Sequence, residues 1–534
     1  MINKRKLELY ENLFRHLGPG DHTITVSAIA ETMNCSERHA RTLLKQMSDR
    51  GWLDWKPARG RGIKGTLTCL LEPLQACYNE VDLATEQGKY DIAHKLIGFN
   101  DRNVASALKQ YLTHATIESE NTVHAPFHRK LSWLHPHHAM ERTERHLIHE
   151  VFQTLVTSSK ERFAGELAHS WIHCQYHRSW TFYLRTGVVF HDQTPLSAID
   201  VVESLQALTA SPYWSRLYDH IDSIRADAPY QITIELTEPD PHFLALLCRS
   251  EAAILPKSMV HRAESIYKPI GSGAFSVTVN SEKLLRLTRH SQYSGSNALV
   301  EHIELWIHEE WAKDKKCAEN FFFLNDEEET YKVATADIGY FFLLINHREL
   351  QNTKFKHQLE SLFSEEQPSA LCSPLPLEFS YENNNENRTF ANKLNEGLAQ
   401  GGSQGHGTQV IYGHPKANQA LSIGGIRLEG DRATSLFAFF KLYPHWLNNL
   451  NWKQQDMLSK ALSAVRHTHN STERERLLDE LLVWLYQDNV LAIIKSEDLT
   501  LTIPSRIRGV EINSIGWCNF SRLWIQQKPS TTGA

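Results

Sequence analysis

The sequence predicts a multidomain α/β protein in which a small basic module precedes a much larger acidic body. A chain of 534 residues, 41% of them hydrophobic, is long enough for several globular units with cores of their own. Residues 1–70 hold 12 Lys and Arg against 7 Asp and Glu, a balance of +5, whereas the other residues hold 44 against 55, a balance of −11. Helix-period and strand-period patterns both occur along the chain, and the α/β class itself is implied by a family resemblance of the body that is described below.

The module begins with two helical patterns separated by a short turn. Thr25 and Ser36 each stand at the start of a pattern, where their hydroxyls would cap a helix. Asn34 falls at the turn and tolerates the left-handed backbone that such a turn often needs. The apolar residues of the second pattern recur at i, i+3, i+4 and i+7: Ala40, Leu43, Leu44 and Met47. An upstream apolar stripe predicts a further helix through Tyr10, Leu13, Phe14 and Leu17.

A basic hairpin follows the second helix of this pair. Gly51 ends the helix, a strand begins at Trp52, and the chain returns as a strand over residues 66–69. The connecting residues 56–65 contain four basic side chains and no acid. This order is typical of a winged helix-turn-helix, in which the second helix enters the major groove and the hairpin, or wing, contacts phosphates.

The pattern therefore predicts duplex DNA as a partner. The polar face of the second helix would read base edges, and the basic wing would lie along the backbone. The candidate DNA-binding residues are Ser36, Glu37, Arg38, Arg41, Thr42, Lys45, Lys56, Arg59, Arg61 and Lys64. A surface helical hairpin with solvated charges is the alternative, but the order of helix, turn, capped basic helix and basic hairpin argues against it.

Residues 71–115 are predicted to form a helical linker subdomain. It lies between the DNA-binding module of residues 1–70 and the body of residues 116–534. The stretch is polar, and its apolar residues are Val81, Leu83, Ile92, Leu96, Val104, Leu108 and Leu112.

The body resembles the family 5 extracytoplasmic solute-binding proteins of oligopeptide and nickel transporters. Between Leu167 and Val201, LAHSW and WTFYLRTGVVFHDQTPLSAIDV are similar to a family pattern of a strand, an LRxGVxFHDG turn and a PLTAxDV helix start. Shorter similarities lie at residues 131–156, 269–275 and 493–524. The resemblance implies a two-lobed, periplasmic-binding-protein type II-like α/β domain. Lobe 1 is expected at about residues 116–345 and 491–534, and lobe 2 at about 346–490.

Proteins of this family bind ligand in the cleft between the lobes, which closes by a hinge motion. The candidate ligand-binding residues are Trp133, His135, His138 and Arg142 from the first turn of the body, and Arg427, Glu429 and Asp431 from lobe 2. Each of them could equally be a surface or packing residue. His135 and Gln193 depart from the usual Asp and Gly of the family, so the resemblance informs the fold more than the ligand.

A solute-binding body behind a winged helix, without an export signal, resembles the SgrR family of transcriptional regulators. Residues 35–55, CSERHARTLLKQMSDRGWLDW, resemble the recognition helix and first wing strand of that family. The resemblance implies a cytoplasmic regulator that senses glucose-phosphate stress, activates a small regulatory RNA gene and represses its own gene. The implied partners are promoter or operator DNA, a small-molecule effector and RNA polymerase. The candidate effector is a sugar phosphate. No cofactor and no membrane partner are implied. Arg142 and Arg427 are the better candidates for holding an anionic effector.

Other functions receive less support from the residues. No apolar run approaches the roughly 18–20 residues that span a bilayer. The eight cysteines stand singly, as expected of reduced cytosolic thiols. His169, His173 and His177 would form a metal-binding face on a helix, but the neighbouring strand pattern argues against that helix, and no metal site is predicted.

An enzyme is not predicted either. The G-x-S-x-G match at residues 401–405 follows a helix-like stretch, whereas a nucleophile elbow requires a preceding strand. The alternative function is a ligand-binding component of a transport or sensing system whose helix-turn-helix contacts protein instead of DNA.

Overall fold

The structure is a computed structural model that describes residues 4–58, 63–99, 104–118, 121–159, 162–262, 269–312, 322, 329–364, 369–373, 376–411 and 419–526. The helices among these residues are α1 (Lys4–Leu17), α2 (Val26–Thr32), α3 (Glu37–Ser48), α4 (Pro73–Glu86), α5 (Tyr90–Ile97), α6 (Val104–Glu118), α7 (Arg142–Val151), α8 (Ala198–Thr209), α9 (Phe243–Leu247), α10 (Thr353–Ser364), α11 (Asn385–Gln400), α12 (Arg432–Leu442), α13 (His445–Asn448), α14 (Trp452–His467) and α15 (Ser471–Gln487). The strands are β1 (Gly20–Ile24), β2 (Leu53–Lys56), β3 (Gly65–Cys69), β4 (Thr122–Phe127), β5 (Val156–Ser159), β6 (Arg162–Gly165), β7 (Ala168–His173), β8 (Ser179–Leu184), β9 (Ile221–Ala228), β10 (Gln231–Leu236), β11 (Phe275–Asn280), β12 (Leu284–Arg289), β13 (His302–Ile307), β14 (Thr330–Ile345), β15 (Leu377–Glu382), β16 (Gly405–Val410), β17 (Leu421–Arg427), β18 (Leu491–Pro504), β19 (Ile507–Arg508) and β20 (Trp524–Ile525).

The predicted helix-turn-helix is confirmed in its local detail. Thr25 Oγ1 accepts a hydrogen bond from Ala28 N at 3.2 Å, which caps α2, and Ser36 Oγ accepts from His39 N at 3.3 Å, which caps α3. Asn34 between the helices has φ +48°. The strands after α3 form the predicted wing hairpin, and β1 completes an antiparallel sheet in the order β1-β3-β2.

The DNA-binding module and the helices of the linker share one core. The Tyr10 hydroxyl on α1 lies 2.7 Å from Trp52 O and 2.5 Å from Leu71 O, so it holds α1 against the start of the wing and against the chain entering α4. Arg50, just after α3, donates to both carboxylate oxygens of Glu80 on α4 at 3.0 Å. Both hydrogen bonds come from Arg50 Nη1, and this ion pair connects the end of α3 to α4.

The same core continues into the body. Trp306 of β13 is fully buried and joins this amino-terminal core. Its ring lies edge-on to Tyr111 of α6, with centroids 6.4 Å apart, and its Nε1 donates to Glu304 at 2.8 Å. The Tyr111 hydroxyl in turn donates to Asp82 of α4 at 2.5 Å. The buried ring contact between Trp306 and Tyr111, with the hydrogen bonds of both side chains, therefore connects the helical linker to the sheet of order β11-β12-β13-β4.

The segment most similar to solute-binding proteins folds as its pattern predicts. Trp180, Phe182 and Leu184 of β8 are buried on one side of the antiparallel sheet β7-β8-β10-β9. Gln193, which stands where the family usually has Gly, adopts φ +70°, a conformation that normally favours Gly. Asp200 accepts a hydrogen bond from Ser197 N at 2.9 Å at the start of α8. These residues hold lobe 1 together.

Two long strands, β14 and β18, connect the two parts of the body. Their outer halves, residues 330–335 and 499–504, pair with each other and pack with the core of β4, β12 and β13. Their inner halves belong to the five-stranded sheet β16-β15-β17-β14-β18 of lobe 2. The pairing register shifts between Thr335 and Gly339. We therefore propose that the lobe boundary lies within these strands, near residues 336–338 and 498, rather than at 345 and 490.

Lobe 1 and the helices of lobe 2 pack through a large apolar contact. Trp214 and Phe243 of lobe 1 share a buried core with Phe437 of α12 and with residues of α14 and α15. The lobes therefore lie together, with little open space between them. None of the described helices has the length and apolar character needed to cross a bilayer.

Candidate functional site

The outward face of α3 is a basic surface beside the wing. Ala40, Leu43, Leu44 and Met47 are buried under it, as the spacing predicts. The predicted contact residues of this helix are all exposed: Ser36, Glu37, Arg38, Arg41, Thr42 and Lys45. In the wing, Lys56 and Lys64 are exposed as well, whereas the predicted residues Arg59 and Arg61 lie outside the described residues.

Ion pairs divide the cations of this face into two groups. Arg41 Nη2 lies 3.0 Å from Glu37 one turn earlier on α3, and Lys56 Nζ lies 3.3 Å from Asp54. Arg38 and Lys45 form no ion pair within the part of the chain that the structure describes, and they lie opposite the buried side of α3. Because the face has more exposed cations than carboxylates, it suits a phosphate backbone.

Two further exposed residues of α3 belong to this surface, and the sequence reasoning missed them. His39 and Gln46 lie one turn before and one turn after Thr42 on the same side of the helix. Gln is a common partner of adenine in the major groove. The signal was available, because both residues fall between the apolar positions of α3.

A second candidate site is a small cavity between the lobes. Its volume is about 40 Å³, well below the roughly 300–1,000 Å³ of common small-molecule pockets. Lobe 1 contributes Met140, Arg145, Tyr213, Trp214 and Arg249; lobe 2 contributes Gly425, Ile426, Arg427, Ser435, Ala438, Phe439, Leu442 and Tyr443. Three arginines and four aromatic rings therefore surround a cavity that the closed lobes keep narrow.

A buried ionic cluster forms one wall of this cavity. Glu429 of lobe 2 accepts hydrogen bonds from Arg145, from Ser250 N at 2.6 Å and from His149 Nε2 at 2.9 Å, and Arg249 Nη2 lies 3.6 Å away. Glu251 of lobe 1 pairs with Arg145 at 3.0 Å and with Arg249 at 2.5 Å. Two arginines and two carboxylates thus balance one another across the interface between the lobes.

The electrostatics of the cluster fix the charge states of its members. Burial alone would raise the pKa of Glu251, but Arg249 and Arg145 hold that pKa below its ordinary value, so Glu251 is ionised. Burial, with Arg145 nearby, lowers the pKa of His149 to about 4. His149 is therefore neutral near pH 7, and it contacts Glu429 as a neutral ring.

In a comparison with known proteins, two family models match separate parts of the chain. Residues 5–119 match the family described as "Sugar transport-related sRNA regulator N-term", and residues 162–318 match "Bacterial extracellular solute-binding proteins, family 5 Middle". The HTH-type transcriptional regulator SgrR of Yersinia enterocolitica is 26% identical over 94% of this chain and 95% of its own. The protein of that name from Yersinia pestis is 30% identical over 66% of this chain and 63% of its own.

Over nearly its whole length the chain is therefore similar to regulators named SgrR, and its amino-terminal residues match the family model of their amino-terminal domain. Solved structures agree on the fold of its body. NikZ of Campylobacter jejuni, in complex with Ni(L-His), superposes with a TM-score of 0.58 at 16% identity, and covers 76% of this chain and 100% of its own. The oligopeptide-binding protein AppA of Bacillus subtilis, in complex with a nonapeptide, superposes with a TM-score of 0.62 at 14% identity. That match covers 77% of this chain and 100% of AppA. The body of this chain thus has the fold of the family 5 periplasmic binding proteins. The alternative of a transport component is not favoured, because the curated relatives are named as regulators.

The cavity brings together only part of the predicted ligand-binding set. Arg427 lines it, and Glu429 lies behind the lining, where it accepts a hydrogen bond from Arg145. Asp431 caps α12 instead, since its carboxylate accepts from Thr434 N at 2.7 Å and from Thr434 Oγ1 at 2.7 Å. Arg142 donates to Gly516 O, at the carboxyl-terminal segment.

The remaining three predicted residues lie apart from the cavity. Trp133 is 52% exposed and stands edge-on to His138, with ring centroids 5.9 Å apart. His135 is buried against His138 and His137, and burial lowers its pKa to about 3. These residues form a local aromatic cluster outside the cavity lining, and a ligand-binding role for them stays a prediction.

Three residues of the ionic cluster beside the cavity were missed by sequence reasoning. Arg145, Arg249 and Glu251 are buried, yet none of them stands in a motif that points to a ligand. A signal existed for two of them. Arg249 and Glu251 interrupt the apolar run of residues 243–255, and charges within such a run are usually paired when buried.

Proposed function

We propose that this protein is a transcriptional regulator that binds double-stranded promoter or operator DNA through α3 and the wing. The observation that carries the proposal is the exposed basic face of α3 beside an exposed basic wing, on a capped helix-turn-helix. The order of these elements matches the groove and backbone contacts of winged helix proteins. Relatives named HTH-type transcriptional regulator SgrR support the same function.

A small-molecule effector between the lobes is the second part of the proposal. The solute-binding fold of the body and the arginine-lined cavity support it, and the family description links these proteins to sugar transport and to a small RNA. A sugar phosphate is the candidate effector, because arginines bind phosphoryl groups well. The regulated genes are then a small RNA gene of glucose-phosphate stress and the protein's own gene. The protein acts in the cytoplasm, with RNA polymerase as a further partner, and has no enzymatic role.

The effector would act on the DNA-binding module through the contacts between them. A change in the arrangement of the lobes shifts β14 and β18, which pack with the core beneath β12 and β13. Trp306 on β13 connects that sheet to Tyr111 of α6. The ion pair between Arg50 and Glu80 then connects α4 to the end of α3. Ligand and DNA would thus be linked through a continuous set of packed side chains.

Paired substitutions test the assigned roles on DNA. Arg38→Ala removes an exposed side chain from the first turn of α3, so it should cost about 1–3 kcal/mol on the preferred site and reduce discrimination against a scrambled site. Lys64→Ala removes a wing contact to phosphate, so it should weaken binding to both sites equally. Fluorescence anisotropy with the upstream duplex and a scrambled duplex measures both effects.

The control for this pair is Lys460→Ala. Lys460 is exposed on α14, far from α3 in the fold, and pairs with Asp456 at 2.7 Å. Its loss should leave DNA binding unchanged. Equal loss of sequence discrimination in the Arg38 and Lys64 variants would contradict the division of roles.

A further inference from the structure

Two helices of lobe 2 end in basic turns that face lobe 1. Lys441 lies in the last turn of α12, and Arg466 and His467 lie in the last turn of α14. Cations are favoured at these positions because the carboxyl end of a helix carries partial negative charge. Each of the three side chains also reaches a carboxylate of lobe 1, so these turns form a contact between the lobes.

The two carboxylates come from one end of a lobe 1 sheet. Asp219 stands two residues before β9, and Glu238 stands two residues after β10. Because these strands are antiparallel and paired along their length, both carboxylates lie at the same end of the sheet. Thr237 N donates to His220 O at 2.8 Å, which keeps the two chain segments together. Lobe 1 therefore presents a pair of carboxylates on a fixed frame.

Arg466 contacts both carboxylates. Its side chain is 4% exposed, and its guanidinium donates to Asp219 at 3.1 Å and to Glu238. Lys441 Nζ lies 2.8 Å from Asp219, and His467 Nε2 lies 3.1 Å from Glu238. Five side chains thus form one ionic group across the two lobes. We call these five residues the interlobe latch.

Both carboxylates of the interlobe latch are ionised near neutral pH. Burial alone would raise the pKa of Asp219, but Lys441 and Arg466 hold that pKa below its ordinary value. Burial acts in the same direction on Glu238, and Arg466 and His467 hold its pKa low as well. Two negative charges of lobe 1 therefore meet the positive charges of Lys441 and Arg466.

The position of the interlobe latch makes it sensitive to lobe closure. Its five residues lie outside the cavity lining, yet Lys441 directly precedes the lining residue Leu442 on α12. Arg466 also stands over the ring of Phe437, 5.3 Å from the centroid, in the apolar core that the lobes share. If the lobes separate, Arg466 loses both carboxylates, whereas the connection through β14 and β18 remains. The ionic contacts therefore stabilise the closed arrangement only.

We propose that the interlobe latch stabilises the closed lobes in the absence of any ligand, and so sets how much of the protein is closed before an effector binds. An effector that prefers the closed lobes raises their share further, in the same direction as the latch. This inference goes beyond the proposed function, because it requires neither effector nor DNA.

Removing the two negative charges tests the proposal. Glu238→Gln combined with Asp219→Asn keeps the shape of both side chains and should lower the ratio of closed to open molecules about tenfold or more, because charged hydrogen bonds are lost from the closed form alone. Small-angle X-ray scattering of the full chain, without DNA or ligand, should then give a larger radius of gyration than the wild type. Glu238→Gln alone should shift it less, in the same direction.

Glu235→Gln is the matched control. Glu235 lies on β10, three residues before Glu238, and the two side chains are 34% and 33% exposed. Its arginine partner is Arg225 of the same lobe, at 3.4 Å, so its loss should leave the scattering unchanged.

Circular dichroism verifies that each variant is folded, and the single Glu238→Gln variant decides the question if the double variant is not. An unchanged radius of gyration in the folded variant that decides, or an equal increase in the Glu235→Gln control, would overturn the proposal. Since DNA and effector are both absent, failure of the proposed function would leave this result unaffected. Loss of the latch effect with intact DNA binding would overturn only the latch.

Discussion

Replacing Arg145 by alanine should lower the free energy of unfolding by about 3–5 kcal/mol. Arg145 is buried between Glu251 and Glu429, which come from opposite lobes. Its removal takes one of two arginines away from a pair of buried carboxylates, and a buried charge that loses its counter-charge is costly. Urea denaturation followed by tryptophan fluorescence at pH 7 measures the loss.

Arg225→Ala is the control for this loss. Arg225 also contacts two carboxylates, those of Asp227 and Glu235, but its side chain is 53% exposed on β9. Exposed pairs contribute about 0–1 kcal/mol, so this variant should remain close to the wild type. Equal effects of the two substitutions would contradict the central position given to Arg145.

Replacing Trp306 by alanine should also cost about 3–5 kcal/mol and should separate the helical linker from the body. Trp306 is fully buried in the amino-terminal core, against Tyr111 and His94, and its Nε1 donates to Glu304. The substitution leaves a cavity at the junction and removes one hydrogen-bond donor from Glu304, which keeps its contacts with His124 and Arg286. Urea denaturation measures the cost. Limited proteolysis measures the separation, as faster cleavage between α6 and β4.

Trp452→Ala removes a side chain of the same type that is 73% exposed at the start of α14. Its effect should stay within about 0.5 kcal/mol, as for most surface substitutions. The two variants should also differ in function. Trp306→Ala should weaken any change in DNA affinity caused by effector, while Trp452→Ala preserves it. Undiminished effector response in a folded Trp306→Ala protein would show that coupling takes another route.

The features that could be predicted from the sequence are those that depend on neighbouring residues. Caps at Thr25 and Ser36, the left-handed Asn34 and the buried side of α3 follow from interactions within a few residues, and the structure contains all of them. The alternation of Trp180, Phe182 and Leu184 predicted β8 for the same reason. The family resemblance then supplied the two-lobed fold, which local patterns alone do not specify.

The interlobe site could not be predicted in the same way. Arg145 and Glu429 are 284 positions apart, and their contact depends on how two lobes meet. Asp431 looked like a ligand residue from its sequence context, yet its carboxylate is used by the first turn of α12. A single sequence does not distinguish a capping aspartate from a binding one when both precede a helix. Likewise, nothing local showed that Trp306 joins the core of the linker helices.

The central claim is that the basic face of α3 and the wing bind duplex DNA, and salt-dependent binding tests it most directly. The full chain would be titrated onto its own upstream duplex at several salt concentrations. The logarithm of the dissociation constant should rise linearly with the logarithm of salt concentration, with a slope of roughly 0.9 per phosphate contacted, as expected when lysines and arginines replace counterions. Binding that is absent at low salt, or whose affinity does not change with salt, would contradict the account.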